Sequence, residues 1–397
     1  MLVPGLILAA ACSDRGGASS FYTTVVDTVG DTIVVRTSGD VPDADVRPLT
    51  VVWKTAPDVS DSVTLGDVSG LAVGPDGRVF VWDPQTPSIW LYDTRGRLVR
   101  RVGRVGGGPG EYDQLNGLAV RPDGRMVAWD AGNARLNVYD ADGNTVTSWK
   151  LTVGGTYMSN GVTADARNRI WLNTSRRHVY DSVGVLVDSV AVPSYPTNDQ
   201  ILRARREGMS SGHAIPYTTR SRSAISPLGF IVSGPGRPYA VNTIHNGRPL
   251  RIERETPAVP VADEERAQHR ARIEAILTRV QPDWRWDGAD IPTTKPPYSG
   301  LSVGSDGRIW VSLHVESEAF DPVLPRPPRP GATPVVRFRE NERRWDVFEP
   351  DGRYAGRVLA PGEFTAYAMR GDTVWGVLRD ENDVPAIVRM LAHFGRQ

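Results

Sequence analysis

SGLAVGPDGRVFVWD, Ser69–Asp83, is an apolar run, a tight Pro-Asp-Gly turn and a second apolar run ending in Trp82 and Asp83. NGLAVRPDGRMVAWD, Asn116–Asp130, repeats it almost letter for letter. SGLSVGSDGRIWVSL, Ser299–Leu313, repeats it again, and NGVTADARNRIWLNT, Asn160–Thr174, is a worn copy. Self-similarity at this spacing marks a repeat architecture. Beyond Asp83 a polar loop leads to a third apolar run, Ser88–Tyr92, and Asp93–Gly96 turns into a fourth, Leu98–Val102. The second copy continues through Arg135–Tyr139, the turn Asp140–Gly143 and Thr145–Leu151, and the third through His178–Val192. Turns built on Asp-Gly between such runs are hairpin chemistry. Apolar residues on both faces of Val79–Trp82 mark a strand buried on both sides. Four short antiparallel strands per unit, each sheet packed between two neighbours, make a propeller blade.

Counting the units sets the size. The strand openings Gly70, Gly117 and Gly161 lie 47 and 44 residues apart. A degraded unit at Ala224–Val241, a clear one from Gly300 and a last one at Phe364–Val377 bring the total to six. The expected fold is all-β: a six-bladed β-propeller of four-stranded antiparallel blades, one domain over residues 21–397 after a signal and tether at 1–20. The last unit shows runs at Phe364–Met369, Thr373–Leu378 and Ala386–Leu391 but no fourth. An N-terminal strand is expected to supply it, either Leu49–Thr55 or the earlier hairpin Phe21–Thr37 around Gly30-Asp31. Closure of this kind removes the open edges that invite aggregation. Ala262–Val280 breaks the β pattern. Ala267, Ala271, Ile273, Ile276, Leu277 and Val280 form a stripe at helical spacing, with Asp263 as candidate N-cap.

Composition narrows the class further. Lys+Arg and Asp+Glu both number 46, so no global field favours nucleic acid or an anionic membrane. The single cysteine, Cys12, rules out a disulfide framework and a Cys-based zinc site. Met1–Ala11 is uncharged, apolar and too short to span a bilayer, so it reads as the core of an export signal. Leu8–Cys12, with Ala9 where Leu is usual, resembles a bacterial lipoprotein signal. That resemblance implies lipidation of Cys12 and a membrane-anchored, exported protein of the outer membrane or periplasm. The alternative is a plain cleaved signal in which Cys12 is incidental.

Val102–Tyr112, VGRVGGGPGEY, resembles the Gly-Pro-Gly-Glu-aromatic junction of a six-bladed β-propeller family related to NHL-repeat propellers. Trp345–Leu359 and Val374–Val388 resemble the fifth and sixth blades of the same group, and the likeness runs from about Leu49 to Leu391. It implies the fold and an exported bacterial setting. Function does not follow from it, because one fold hosts many activities.

Chemical motifs are sparse. Gly208–Gly212 matches G-x-S-x-G beside His213, but neither the strand before nor the helix after that a nucleophile elbow needs is expected there. Gly106–Gly110 lacks the Lys-Ser/Thr of a P-loop. The six histidines show no metal-ligand spacing, and Trp82, Trp129, Trp171, Trp310 and Trp375 recur at one place in strand two, which marks core packing. Propellers bind on the face that carries the loops between strands two and three and between blades. That face is expected to gather Asp83, Glu111, Asp130, Arg135, Arg176, Arg177, His314, Glu316, Arg379 and Asp380 as ligand-binding residues. The Pro-rich loop His314–Pro334 and the Arg-rich segment Arg203–Arg222 are expected to roof one side of the channel mouth.

The leading reading is a monomeric, lipid-anchored propeller that binds a peptide, glycan or envelope protein without catalysis and without a cofactor. The rival is a metal-dependent enzyme resembling the lactonases or streptogramin lyases, with a divalent metal at the channel mouth.

Overall fold

Each quoted repeat folds as an inner strand, a tight turn and a second strand. The computed structural model describes residues 22–39, 41, 46–55, 65–151, 161–322 and 331–394. In it Gly70–Val73 pairs antiparallel with Val79–Asp83. The turn between them closes through the Gly77 N–H on the Gly74 carbonyl at 2.9 Å. Gly77 has φ +84°, and Gly124 and Gly307 repeat that conformation at +85° and +87° in their own blades. Only glycine takes it without steric cost, so the Gly of the repeat is a backbone requirement. The Asp before it earns its place differently: Asp76 accepts the Arg78 N–H at 3.1 Å and its guanidinium at 2.6 Å.

Six such units close into a ring of six sheets. Blades I to III are plain four-stranded antiparallel sheets, opening with Gly70–Val73, Leu115–Val120 and Val162–Ala164. Blade IV runs from Arg222–Ser226 to Arg248–Arg254, blade V from Tyr298–Val303 to Tyr354–Pro361, and blade VI from Phe364–Arg370 to Pro385–Leu391. The missing fourth strand of blade VI is Thr50–Lys54, antiparallel to Pro385–Leu391, so Leu49–Thr55 closes the ring. The earlier hairpin has another use. Thr32–Ser38 adds in parallel to the outer strand of blade IV, with Thr23–Val29 beyond it, and Val46–Pro48 adds in parallel to the outer strand of blade V. The N-terminal chain therefore runs along the outside of blades IV and V before closing blade VI.

The core lies in the seams between blades. Phe80, Trp82 and Met126 fill the I–II seam, Trp129 and Ile170 the II–III seam, Tyr239 and Phe348 the IV–V seam, and Trp310 and Met390 the V–VI seam. Trp129 and Trp310 are at most 1% exposed, so the recurring strand-two tryptophans are packing residues.

Three insertions break the sixfold pattern, and strand alternation puts all three on the face of the strand-two ends. A hairpin, Ile201–Arg206 with Met209–Ala214, stands between blades III and IV. The helix Asp263–Val280 stands between blades IV and V. A loop after Leu313 carries the short pair Glu318–Ala319 and Phe338–Arg339. Hairpin and helix share a small core of Leu202, Ala204, Ile273, Leu277 and Trp284. The helix also touches the far end of the loop: Arg272 donates to the Pro334 carbonyl and Arg279 to that of Gly331. Two details of the helix differ from expectation. Its N-cap is Ala262 without a side-chain cap, so Asp263 is a first-turn acid. Ala267 and Ala271 are exposed, because the hairpin covers only the stripe of Ile273, Leu277 and Val280.

No helix among the described residues is long and apolar enough to cross a membrane. Cys12 and the prolines of 323–330 lie outside the described residues.

Candidate functional site

The expected site residues fall into separate clusters, each tying its own part of the ring. Asp83 is fully buried at the end of strand two in blade I. Its carboxylate accepts the N–H groups of Gly66, Asp67, Gln85 and Thr86 and the Thr86 hydroxyl. Asp130 does the same in blade II, taking the N–H groups of Asp113, Gln114 and Asn133, the Asn133 amide at 2.8 Å and Arg135 Nε at 3.2 Å. Both acids spend their oxygens on backbone donors of the loops around them. Arg135 adds bonds to the Gly107 and Glu111 carbonyls.

The remaining members are similarly engaged. Glu111 pairs with Arg104 and takes the Gly108 N–H at 2.7 Å, and these bonds hold its carboxyl below the usual range. Arg176 binds Ser189 of its own blade, while Arg177 reaches the Thr174 carbonyl and Ser223 of blade IV, and burial lowers its pKa. Arg379 bridges to Asp67 at 2.6 Å, and Asp380 holds the turn to Val384. Glu111 and the Arg203–Arg222 segment share no ion pair among the described residues. The ten were expected together on one face of the ring; there they form separate clusters, each engaged by its own loops.

Blade V is built differently. Its strand two, Ile309–Leu313, ends on an apolar residue, and His314 follows. His314 Nδ1 lies 2.8 Å from Glu340 Oε1. The same carboxylate oxygen receives Lys295 Nζ at 2.8 Å. The Lys295 side chain is wholly buried, and Nζ also donates to the Val315 carbonyl at 2.6 Å and the Ser317 hydroxyl at 2.7 Å. Three ammonium hydrogens meet three acceptors, which satisfies a charge that would otherwise be prohibitive to bury. Ser317 and Tyr217 both donate to Glu265 Oε1, at 2.8 and 2.6 Å. Lys295 also lies over the Tyr217 ring at 5.2 Å. Tyr217 holds φ +59°, a left-handed conformation that costs a bulky residue about 1–3 kcal/mol and is held by its surroundings.

Burial and the hydrogen bond to Glu265 push the Tyr217 hydroxyl well above its ordinary value, so it stays a donor. Burial alone would raise Glu340. The bonds from His314 and Lys295 outweigh it and hold the carboxyl below its ordinary value, so it stays ionised.

This cluster lies between two spaces. A cleft of about 860 Å³ opens between blades IV and V, lined among others by Pro257, Val259, Leu313, His314, Glu316 and Arg344. Glu316 is exposed on its rim. Arg254 and Arg357 also border it, each with Nε on the buried Asp346, at 3.0 and 2.9 Å. A smaller space of about 260 Å³ between blades V and VI is lined by Ser299, Ser302, Glu340 and Thr365. Leu313 and Arg344 border both, with His314 on one side and Glu340 on the other.

Lys295, Glu340, Glu265, Tyr217 and Ser317 carry no motif and were not singled out by sequence reasoning. One signal was available: Lys295 is one of only three lysines in a chain whose other basic residues are arginines. An ammonium fits three converging acceptors where a planar guanidinium does not. Among the described residues, no three His, Cys, Asp or Glu side chains are grouped so as to hold a metal ion.

Comparison with known proteins agrees on architecture. A family model described as "6-bladed beta-propeller" matches residues 58–181. A Bacteroides fragilis structure described as an exported protein is 11% identical, with a TM-score of 0.49 over 92% of this chain and 100% of that one. Virginiamycin B lyase from Staphylococcus aureus is 12% identical, with a TM-score of 0.41 over 83% and 97%. A gluconolactonase from Xanthomonas campestris is 14% identical, with a TM-score of 0.38 over 87% and 96%. No curated protein matches the sequence. The chain is a six-bladed β-propeller, similar to a family of that description across its first three blades.

Proposed function

We propose that this protein is an exported, lipid-anchored propeller that binds a peptide, glycan or envelope protein on its insertion-bearing face, in the cleft between blades IV and V. One observation carries the reading. The cleft of about 860 Å³ lies where the blade V loop and the segment that leads into the helix leave the ring, whereas the opposite face bears short repeated turns. Its size suits a ligand of several residues or sugar units, and its walls mix apolar and charged groups as binding clefts do. The anchor rests on Leu8–Cys12 of the sequence.

Arrays of short peptides and glycans probed with the full chain and with a Val259→Trp variant test the cleft. Binding to a defined set should be lost in the variant, with its thermal transition within a few degrees of the parent. Equal binding by both would place the site elsewhere. Cys12→Ser should move the protein from the membrane to the soluble fraction, and unchanged fractionation would remove the anchor.

A further inference from the structure

The His314–Glu340–Lys295 chain has a feature that binding does not require. Glu340 is ionised and can only accept, so His314 must place its proton on Nδ1. Nε2, on the other side of the ring, then carries a lone pair, and the residue lines the cleft. Lys295 fixes Glu340, and Glu340 fixes the tautomer and plane of the imidazole. A carboxylate-oriented histidine with its far nitrogen toward a cavity is how a base is held ready for proton transfer. Arg344, whose guanidinium is paired with Glu342 in the same cleft, brings a cation to it. It is the cross-strand partner of Leu313, the residue before His314, and borders the same cleft. Base and cation thus flank one volume, with Pro257, Val259 and Leu313 as apolar wall.

We propose that His314 is a general base and that the cleft hydrolyses carboxylic esters with water as nucleophile. This rests on the reading of the cleft as the ligand site. In the addition step Nε2 takes a proton from water while the water oxygen bonds to the carbonyl carbon. The carbonyl electron pair moves onto its oxygen, beside Arg344. As the carbon–alkoxy bond breaks, the leaving oxygen takes the proton back from Nε2. Ester and water give acid and alcohol, His314 returns neutral, and no oxidant, reductant or metal enters the balance. Glu340, Lys295 behind it and the Tyr217 ring pack around the imidazole, and Arg344 with its partner Glu342 borders the same cleft. Glu316, two residues along the same loop, adds a negative charge at the rim.

The test uses the full chain and 4-nitrophenyl acetate. Wild type should release 4-nitrophenol about 100-fold faster than buffer, rising with pH through one ionisation. His314→Gln should fall to the buffer rate. Glu340→Gln should lower the rate about 10-fold and move the midpoint of the pH profile, which a purely structural bond would not do. If His314→Gln unfolds, the ring nitrogen shifts of wild-type His314 decide: Nδ1 protonated and Nε2 bare near neutral pH supports the base, and the opposite tautomer overturns it. Hydrolysis at the buffer rate in wild type, or unchanged in His314→Gln, also overturns it. If hydrolysis fails while Val259→Trp still abolishes array binding, the cleft stands and only the base falls. If array binding survives Val259→Trp, the reading of the cleft itself has failed.

Discussion

The fifteenth letter of the repeat is Asp83 in blade I, Asp130 in blade II and Leu313 in blade V. In the first two the acid is part of strand two and is consumed by backbone N–H groups of its own loops. In blade V the acid arrives from elsewhere: Glu340 enters from the far end of a long loop and is met by side chains, His314 and Lys295. A carboxylate that ties backbone to backbone has nothing left for a ligand. One that ties side chains does so at a histidine that lines the cavity wall. The same location in two blades is thus a structural pin in one and a chemical group in the other.

The largest effect should come from breaking the pin. Asp130→Ala strips the acceptor from three backbone N–H groups, the Asn133 amide and Arg135 at a site with no exposure. A loss of about 3–5 kcal/mol is expected, because buried donors are left without partners. Denaturant midpoints measure it, and ligand binding by the folded fraction should be unaffected. A loss under about 1 kcal/mol would mean that water or loop movement replaces the carboxylate, and the distinction between the two blades would weaken.

Blade V should respond less in stability and more in function. Lys295→Met leaves Glu340 with His314 as its remaining partner. The expected cost is about 2 kcal/mol, below that of an abandoned buried charge. Adding Glu340→Met should recover part of it, so the double mutant should be more stable than the sum of the singles predicts. Additive losses would show that Lys295 and Glu340 do not act as a unit.

The ring was legible in the sequence because blades I, II and V keep one pattern of glycine, acid and β-branched residues, each forced by turn geometry or a doubly packed strand. That an N-terminal strand closes blade VI was legible for the same reason, since blade VI shows three runs, but the choice of Thr50–Lys54 over the earlier hairpin was not. The destination of Thr32–Ser38 was not, because its parallel pairing with Arg248–Arg254 joins residues over two hundred positions apart without a turn to announce it. Asp83 and Asp130 were read as ligand groups because sequence places them at the binding face but cannot show which backbone donors face them. His314 and Glu316 line the cleft between blades IV and V. Glu265 and Lys295 come from the insertion between blades IV and V and Glu340 from the loop after Leu313, and only folding brings them within 3 Å of shared partners.

The smallest effect lies at the back of the blade V cluster. His269 sits on the helix edge-on to Tyr217, its ring centroid 5.6 Å away. Burial holds its pKa below the ordinary 6.5, Arg272 and Lys295 push the same way, and Glu265 opposes them. A histidine neutral in the fold but protonatable in the unfolded chain contributes stability that is present above the unfolded value. That stability is lost as pH falls through 6.5 toward the lowered folded value. Glu340 shifts in the same direction but acts lower, since its contribution fades only as pH drops below the ordinary 4.5. Between pH 7.5 and 5.5 His269 should therefore account for a share of any acid-induced fall in the thermal midpoint. His269→Gln cannot take up the proton, and its midpoint should therefore fall less steeply over that range while matching the parent more closely at the acid end. Parallel slopes in parent and variant would assign the pH dependence to other groups and leave His269 a packing residue beneath the helix.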